Sequence, residues 1–186
     1  MTENVHELAL NKKQSDDIAK EKSGWIGWLL FIVSIAAVFF VFRFVIGITI
    51  INGNSMSPTI SDGDVILTSD MFYTPERNDI VIFRDGDGYD VIKRIIGLPN
   101  ETIAIQNGVI LVDGEPIESE FATGIPHDMP EKTVDSGSYF LIGDNRTPGE
   151  SLDSRNSEIG SISKEKIQGQ AILSLLPFGF MTVILK

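Results

Sequence analysis

Between Trp25 and Phe42 the chain runs for eighteen residues without a charge, WIGWLLFIVSIAAVFFVF. Wound as a helix, such a run is about 27 Å long, close to the roughly 30 Å hydrocarbon core of a bilayer. A water-soluble fold would have to bury it on every side. A cleaved secretory signal has an apolar region of only about 7–15 residues, and no small-x-small cleavage site follows this one. The reading is an uncleaved single-pass anchor over residues 24–46. Arg43 can snorkel to one interface while Trp25 and Trp28 suit the other. Apolar character continues from Phe44 to Ile51 and makes up any shortfall in length. Lys12, Lys13, Lys20 and Lys22 precede the run, whereas only Arg43 and then Arg77 follow it. Lysine and arginine near the ends set orientation, so a polar tail of residues 1–23 is expected in the cytoplasm. Residues 47–186 are then expected on the outer side of the cell membrane.

Composition narrows what the outer part can be. Of 26 acidic residues 21 lie beyond residue 43, against 10 of the 15 basic ones, so this portion carries the whole formal charge of −11. A surface of that sign repels phosphates, which argues against nucleic acid as a partner. The chain has no cysteine, so disulfides, zinc–thiolate sites and thiol nucleophiles are excluded. Two histidines, His6 and His127, leave little room for imidazole chemistry or for a metal site. At 42 % apolar and 22 % charged residues, the chain is not a disordered acidic tail.

Beyond the anchor, short apolar runs alternate with turn dipeptides. The runs DVILTS (64–69), DIVIFR (79–84), YDVIKRII (89–96), ETIAIQ (101–106) and GVILV (108–112) read as strands. Asp62-Gly63, Asp85–Gly88, Asn107-Gly108 and Asp113-Gly114 tolerate the positive φ angles of tight hairpins. Further strands are expected at 138–142, 168–175 and 180–185, with a short helical turn around Ser163–Ile167. Residues 115–136 are polar and read as an excursion. The fold class is mainly β, an antiparallel sheet or barrel joined to one N-terminal transmembrane helix. Ala171–Leu185 is short for a span and is broken by Pro177 and Gly179, so it reads as two strands, with a second anchor as the alternative.

Few residues are left to carry chemistry. Lys93 stands out within DVIKRIIG, where alternation places it on a strand face with Val91 and Ile95. Burial there would strip water from the ammonium and lower its pKa from about 10.4 by up to 3–5 units, yielding a neutral base near neutral pH. Such an amine can take a hydroxyl proton without any histidine. Snorkelling, or pairing with a carboxylate, would explain the same lysine equally well. A hydroxyl candidate is Ser55, which follows the turn Asn52-Gly53-Asn54 where backbone N–H groups are free to stabilise an oxyanion. A serine in a polar turn is also an ordinary capping residue.

The order of motifs adds a resemblance. Ser55-Met56 with Pro58-Thr59 resembles the SMxPT nucleophile box of bacterial type I signal peptidases, the leader peptidases with a Ser–Lys dyad. RNDIVIF (77–83) is similar to their RGDIVVF box, IKRIIGLP (92–99) to the lysine box, and GDNR (143–146) with SLDSR (151–155) to the last box. The resemblance implies Ser55 as nucleophile and Lys93 as general base, with the Ser55 N–H at the oxyanion. It matches Ser151 to the serine that orients the lysine, Asp153 with Arg155 to a structural ion pair, and Asp144 with Arg94 to another. Gly53 stands where some members carry an assisting serine. Asn78 replaces the usual glycine of the second box. Four residues, Thr147–Glu150, separate GDNR from SLDSR where the family usually has two, so Thr147 is an alternative hydroxyl for Lys93.

By the same resemblance the chain is expected to remove signal peptides with Ala-x-Ala-like ends from secretory preproteins at the lipid bilayer. It needs no cofactor or metal and acts as a monomer. The substrate would add as a strand beside Ile51, Asn52 and Met56 on one side and Asp90, Val91 and Ile92 on the other. One anchor and a short outer domain are similar to the compact Gram-positive enzymes. A self-cleaving Ser–Lys protease and a catalytically silent anchored binding domain are the other readings.

Overall fold

The computed structural model describes residues 25–40, 46–69 and 73–180 of the chain. It falls into two units, Met1–Phe44 and Val45–Lys186. In the first, residues 25–40 form a helix of sixteen residues whose large apolar side chains, from Trp25 to Phe40, are exposed. Among the described residues no helix is long and apolar enough to cross a membrane. The last residues of the charge-free run, Val41 and Phe42, lie outside the described residues, as does the tail 1–23.

The second unit is antiparallel β throughout its named pairings. Its strands are β1 (Ile46–Ile50), β2 (Val65–Ser69), β3 (Ile80–Arg84), β4 (Asp90–Gly97), β5 (Thr102–Gln106) and β6 (Val109–Val112). They continue with β7 (Glu115–Pro116), β8 (Met129–Thr133), β9 (Ser138–Ile142), β10 (Ile162–Ser163), β11 (Ile167–Leu176) and β12 (Phe178–Phe180). One sheet runs β1-β2-β11-β3-β4-β9-β10, with β12 on β11; a second runs β7-β6-β5-β8. Ile96, Phe140 and Ile142 of the first sheet pack with Ile103, Ile105, Ile110 and Val112 of the second, so that one core joins the two.

Turn chemistry explains the hairpins. Asn107-Gly108 and Asp113-Gly114 both have positive φ at each residue, the requirement of two-residue hairpin turns. Asp85–Gly88 closes β3 onto β4, with the Asp85 carboxylate accepting the N–H groups of Asp87 and Tyr89. Asp62-Gly63 differs from expectation. It belongs to a long connection from β1 to β2, in which Gly63 N–H donates to Ile51 and Ile51 N–H to Asp64. The loop between these bonds carries Ser55.

Two other expectations change. Ile46–Ile50, expected to prolong the apolar run, pairs with β2 as a strand; its β-branched residues suit a ladder as well as a membrane. The polar excursion 115–136 contains β7 and β8, both at or beside a sheet edge where polar residues and proline are tolerated. Of the expected strand 180–185, residues 181–185 lie outside the described residues; β12 pairs with β11 just before them. The turn near Ser163–Ile167 is a 3₁₀ helix over Lys164–Lys166.

β4 is the strand that matters for function. From Ile92 to Gly97 it is buried on both faces. Val91 and Ile95 face a cluster with Phe83 and Leu141, while Ile92 faces one with Met56, Ile60 and Ile82. Where β4 ends, a Cβ on Gly97 would lie 2.7 Å from Ile103 and 2.9 Å from Phe140, at the seam between the sheets. Gly97→Ala should therefore lower stability by about 1–3 kcal/mol, measured by denaturant titration; an unchanged midpoint would contradict this packing.

Candidate active site

Strand register places the candidate residues. Antiparallel pairing sets Lys93 opposite Val81 on β3, and Arg94 opposite Ile142 at the end of β9. The chain then leaves β9 through Gly143 and Asp144, and the β1–β2 loop brings Ser55 to the same place. Ser55 carbonyl accepts from the Asn145 N–H at 3.0 Å, and Asn54 carbonyl accepts from the Asn145 side chain at 3.3 Å.

At the centre, Lys93 Nζ lies 2.7 Å from Ser55 Oγ and 2.9 Å from the Ile92 carbonyl. Lys93 is only 3 % exposed. Burial brings its pKa down from 10.5 to about 8; Arg155 pushes the same way, whereas Asp153 and Asp144 oppose the shift. The Ser55 N–H makes no hydrogen bond with any described residue. Gly53, at φ 100°, ties the loop down by donating to Asp62 at 2.7 Å.

Two ion pairs flank this contact. Arg94 holds Asp144 bidentately at 2.8 and 2.6 Å, with both residues almost wholly buried. Thr59, from the serine loop, donates to Asp144 at 2.6 Å, and Arg94 also donates to the Asn78 carbonyl and lies over the Phe121 ring. Asn78 takes φ 72° here, a conformation natural to glycine and tolerated by asparagine, which accounts for the exchange in that motif. The second pair, Arg155 with Asp153, is also bidentate, at 2.7 Å to each oxygen. Burial alone would raise the Asp153 pKa; Arg155, Ser151 and the Gly143 N–H outweigh it and hold the carboxyl below its usual range.

The hydroxyl expected to orient Lys93 is engaged elsewhere. Ser151 donates to Asp153 at 2.7 Å, and neither Ser151 nor Thr147 bonds to Lys93 in this structure. The four linking residues Thr147–Glu150 form an exposed turn, closed by Glu150 N–H to the Thr147 carbonyl at 3.1 Å, with Gly149 at φ 86°. Gly143 is a residue sequence reasoning passed over: a Cβ there would collide with Ser151 and with the Ser55 carbonyl. Thr59 and Arg146 were passed over too, although all three stand inside the quoted motifs.

An open groove of about 610 Å³ contains Ser55 and Lys93, with Phe83, Val91, Leu152 and Ile162 among its walls. Of the six residues expected to bind substrate, Val91 lines it. Ile51, Met56 and Ile92 are buried in the core, Asn52 is exposed in the loop, and Asp90 is held by Arg84 and Gln168. Burial takes the three apolar side chains out of reach of a ligand, because they fill the space beneath the serine loop. The backbone of Asp90–Lys93 pairs with β3 on one edge, while pairing with β9 begins only at Arg94.

A serine hydroxyl against a buried, weakly basic lysine in an open groove defines a serine hydrolase of the histidine-free type. The family described as "Signal peptidase, peptidase S26" matches residues 25–176, and the chain belongs to that family. It is 33 % identical to Signal peptidase I U of Bacillus subtilis over 168 residues, covering 82 % of this chain and 88 % of that one. Similarity to Probable signal peptidase I-1 of Synechocystis sp. is 31 % identity over 141 residues, 68 % of this chain and 69 % of the other. A crystal structure of a signal peptidase I from Enterococcus faecalis aligns with 53 % of this chain and 97 % of its own, at 27 % identity and a TM-score of 0.45.

The lysine's environment has a measurable thermodynamic consequence. Its pKa in the fold, about 8, lies below the ordinary 10.5, so protonation favours the unfolded chain. The cost, about 3 kcal/mol, is present in full below pH 8 and fades as the pH rises toward 10.5. Lys93→Met should raise the melting temperature at pH 6.5, with a gain that shrinks as pH rises. A pH-independent effect would argue that the amine is not desolvated.

Proposed function

We propose that this chain is a signal peptidase I, a serine endopeptidase that cuts signal peptides from secretory preproteins. The observation that carries the reading is the 2.7 Å contact between Ser55 Oγ and the buried Lys93 Nζ. With a pKa near 8, about half of the amine is neutral at pH 8, against roughly one lysine in 250 in water. Neutral Lys93 accepts the Ser55 proton as Oγ attacks the scissile carbonyl carbon. The developing oxyanion is received by the Ser55 N–H, a donor with no competing partner among the described residues. Protonated Lys93 returns its proton to the leaving amine. A water deprotonated by Lys93 then hydrolyses the acyl-enzyme.

In this reading Arg94, Asp144, Asp153, Arg155 and Ser151 position the dyad, and Gly53 shapes its loop. The free edge of β4 over Asp90–Lys93 suits an extended peptide added as a strand, with its small side chains of Ala-x-Ala type directed against the Phe83, Val91 and Ile162 walls of the groove. Residues 24–46 anchor the enzyme as a single pass with the tail inside and residues 47–186 outside. That topology is supported by eighteen uncharged residues, by the lysines before them and by a helix that is apolar on every side. The substrate's own apolar segment then lies in the same membrane as the enzyme, which acts as a monomer without metal or cofactor.

Preprotein cleavage in detergent or liposomes tests the assignment. Ser55→Ala and Lys93→Ala should each lower the rate by at least about 10³-fold with unchanged expression. The acidic limb of the wild-type pH–rate profile should fall with an apparent pKa near 8. Full activity in either variant would overturn the dyad.

A further inference from the structure

The buried charges near Ser55 do not balance. Arg94 uses both oxygens of Asp144, and Arg155 uses both oxygens of Asp153. A third guanidinium, Arg146, is 3 % exposed and has no carboxylate of its own. Its Nε donates to the Gly143 carbonyl at 2.7 Å, and its backbone is bonded to Thr123 and Arg155. The terminal nitrogens Nη1 and Nη2 make no hydrogen bond with any described residue. Four of its five N–H donors are therefore unsatisfied by the protein. Burial, and repulsion from Arg155 and Arg94, bring its pKa down to about 10 despite attraction from Asp144 and Asp153. Among the described residues the fully buried side-chain atoms without a partner are Ser161 Oγ and Ser174 Oγ, so the Arg146 terminal nitrogens reach the solvent space of the cavity beside them, where an anion can replace water.

Arg146 lines a cavity of about 220 Å³. Its other walls include Gly108, Val109 and Ile110 from the β5–β6 hairpin, with Ser119, Ala122 and Gly124 from the segment after β7. No wall residue is shared with the groove at Ser55 and Lys93. The Ser119 side chain likewise makes no hydrogen bond with a described residue, which leaves a second donor at the same cavity. At about 30 Å³ for each water, the space admits a few-atom anion with solvent around it.

We propose that this cavity is an anion site, in which the fork of Arg146 holds a small oxyanion by two parallel N–H···O bonds. Planar guanidinium matches carboxylate and phosphate oxygens bidentately, a geometry that chloride cannot reproduce. The bound anion supplies the negative charge that the surrounding side chains lack. The site is independent of the peptidase reading, since neither Ser55 nor Lys93 takes part.

The test uses the full chain in detergent at constant ionic strength, titrated in parallel with inorganic phosphate, acetate and chloride. The expected result is a saturable rise in melting temperature with phosphate or acetate and none with chloride; the anion that acts identifies the chemistry. Arg146→Gln should abolish the rise. Ala122→Phe, which fills the cavity and keeps the arginine, should abolish it too and serves where Arg146→Gln fails to fold. Calorimetric titration of the wild-type protein with the same phosphate and acetate gives a direct reading. No saturable heat with either anion, or equal thermal shifts in wild type and Ala122→Phe, overturns the proposal.

Discussion

Withdrawing one amine from water is the constraint around which this structure is arranged. A lysine at the surface holds its proton too tightly to serve as a base near neutrality. Lys93 sits where β4 is covered on both faces, so desolvation outweighs the neighbouring carboxylates and the pKa falls to about 8. The cost of the buried amine is borne by the apolar core that encloses it. Two partners remain for its nitrogen, the Ser55 hydroxyl and the carbonyl of the preceding residue.

The neighbouring carboxylates must be kept from cancelling that effect. Asp144 and Asp153 would each raise the Lys93 pKa, yet each is saturated by an arginine. Arg155 itself opposes protonation of the lysine. The same pairs do mechanical work: Asp144 binds Thr59 of the serine loop and Arg94 of β4, and so fixes two elements that are 35 residues apart in sequence. Breaking such a pair from one side strands a buried charge and typically costs about 3–5 kcal/mol. Gly143 closes the arrangement, because only a residue without Cβ fits between Ser151 and the Ser55 carbonyl.

Legibility from sequence followed physical locality. Strands bounded by Asn-Gly or Asp-Gly turns were readable because the turn residues dictate backbone angles by themselves. β1 was not, since its IGITI reads equally as membrane or sheet, and β8 was not, since an edge strand need not alternate. Elimination left Ser55 and Lys93 as candidates with ordinary alternatives, and the ordered motifs singled them out together with the ion pairs. The hydroxyl partner of Lys93 was beyond reach. Ser151 has a choice between an amine and a carboxylate, and only the folded geometry decides it for Asp153. Substrate contacts were the least legible: Ile51, Met56 and Ile92 look like groove residues by position but are consumed by the core. Arg146 escaped notice because its interest lies in what it lacks.

The most direct measurement is a titration of the Lys93 amine itself, by NMR of the enzyme with ¹³Cε-labelled lysine and Lys93→Met as the assignment control. The desolvated site described above predicts that the Lys93 resonance titrates near pH 8, well below the ordinary lysine value of 10.5. A Lys93 resonance titrating at the ordinary value of 10.5 would contradict the central claim that burial lowers the pKa of this amine.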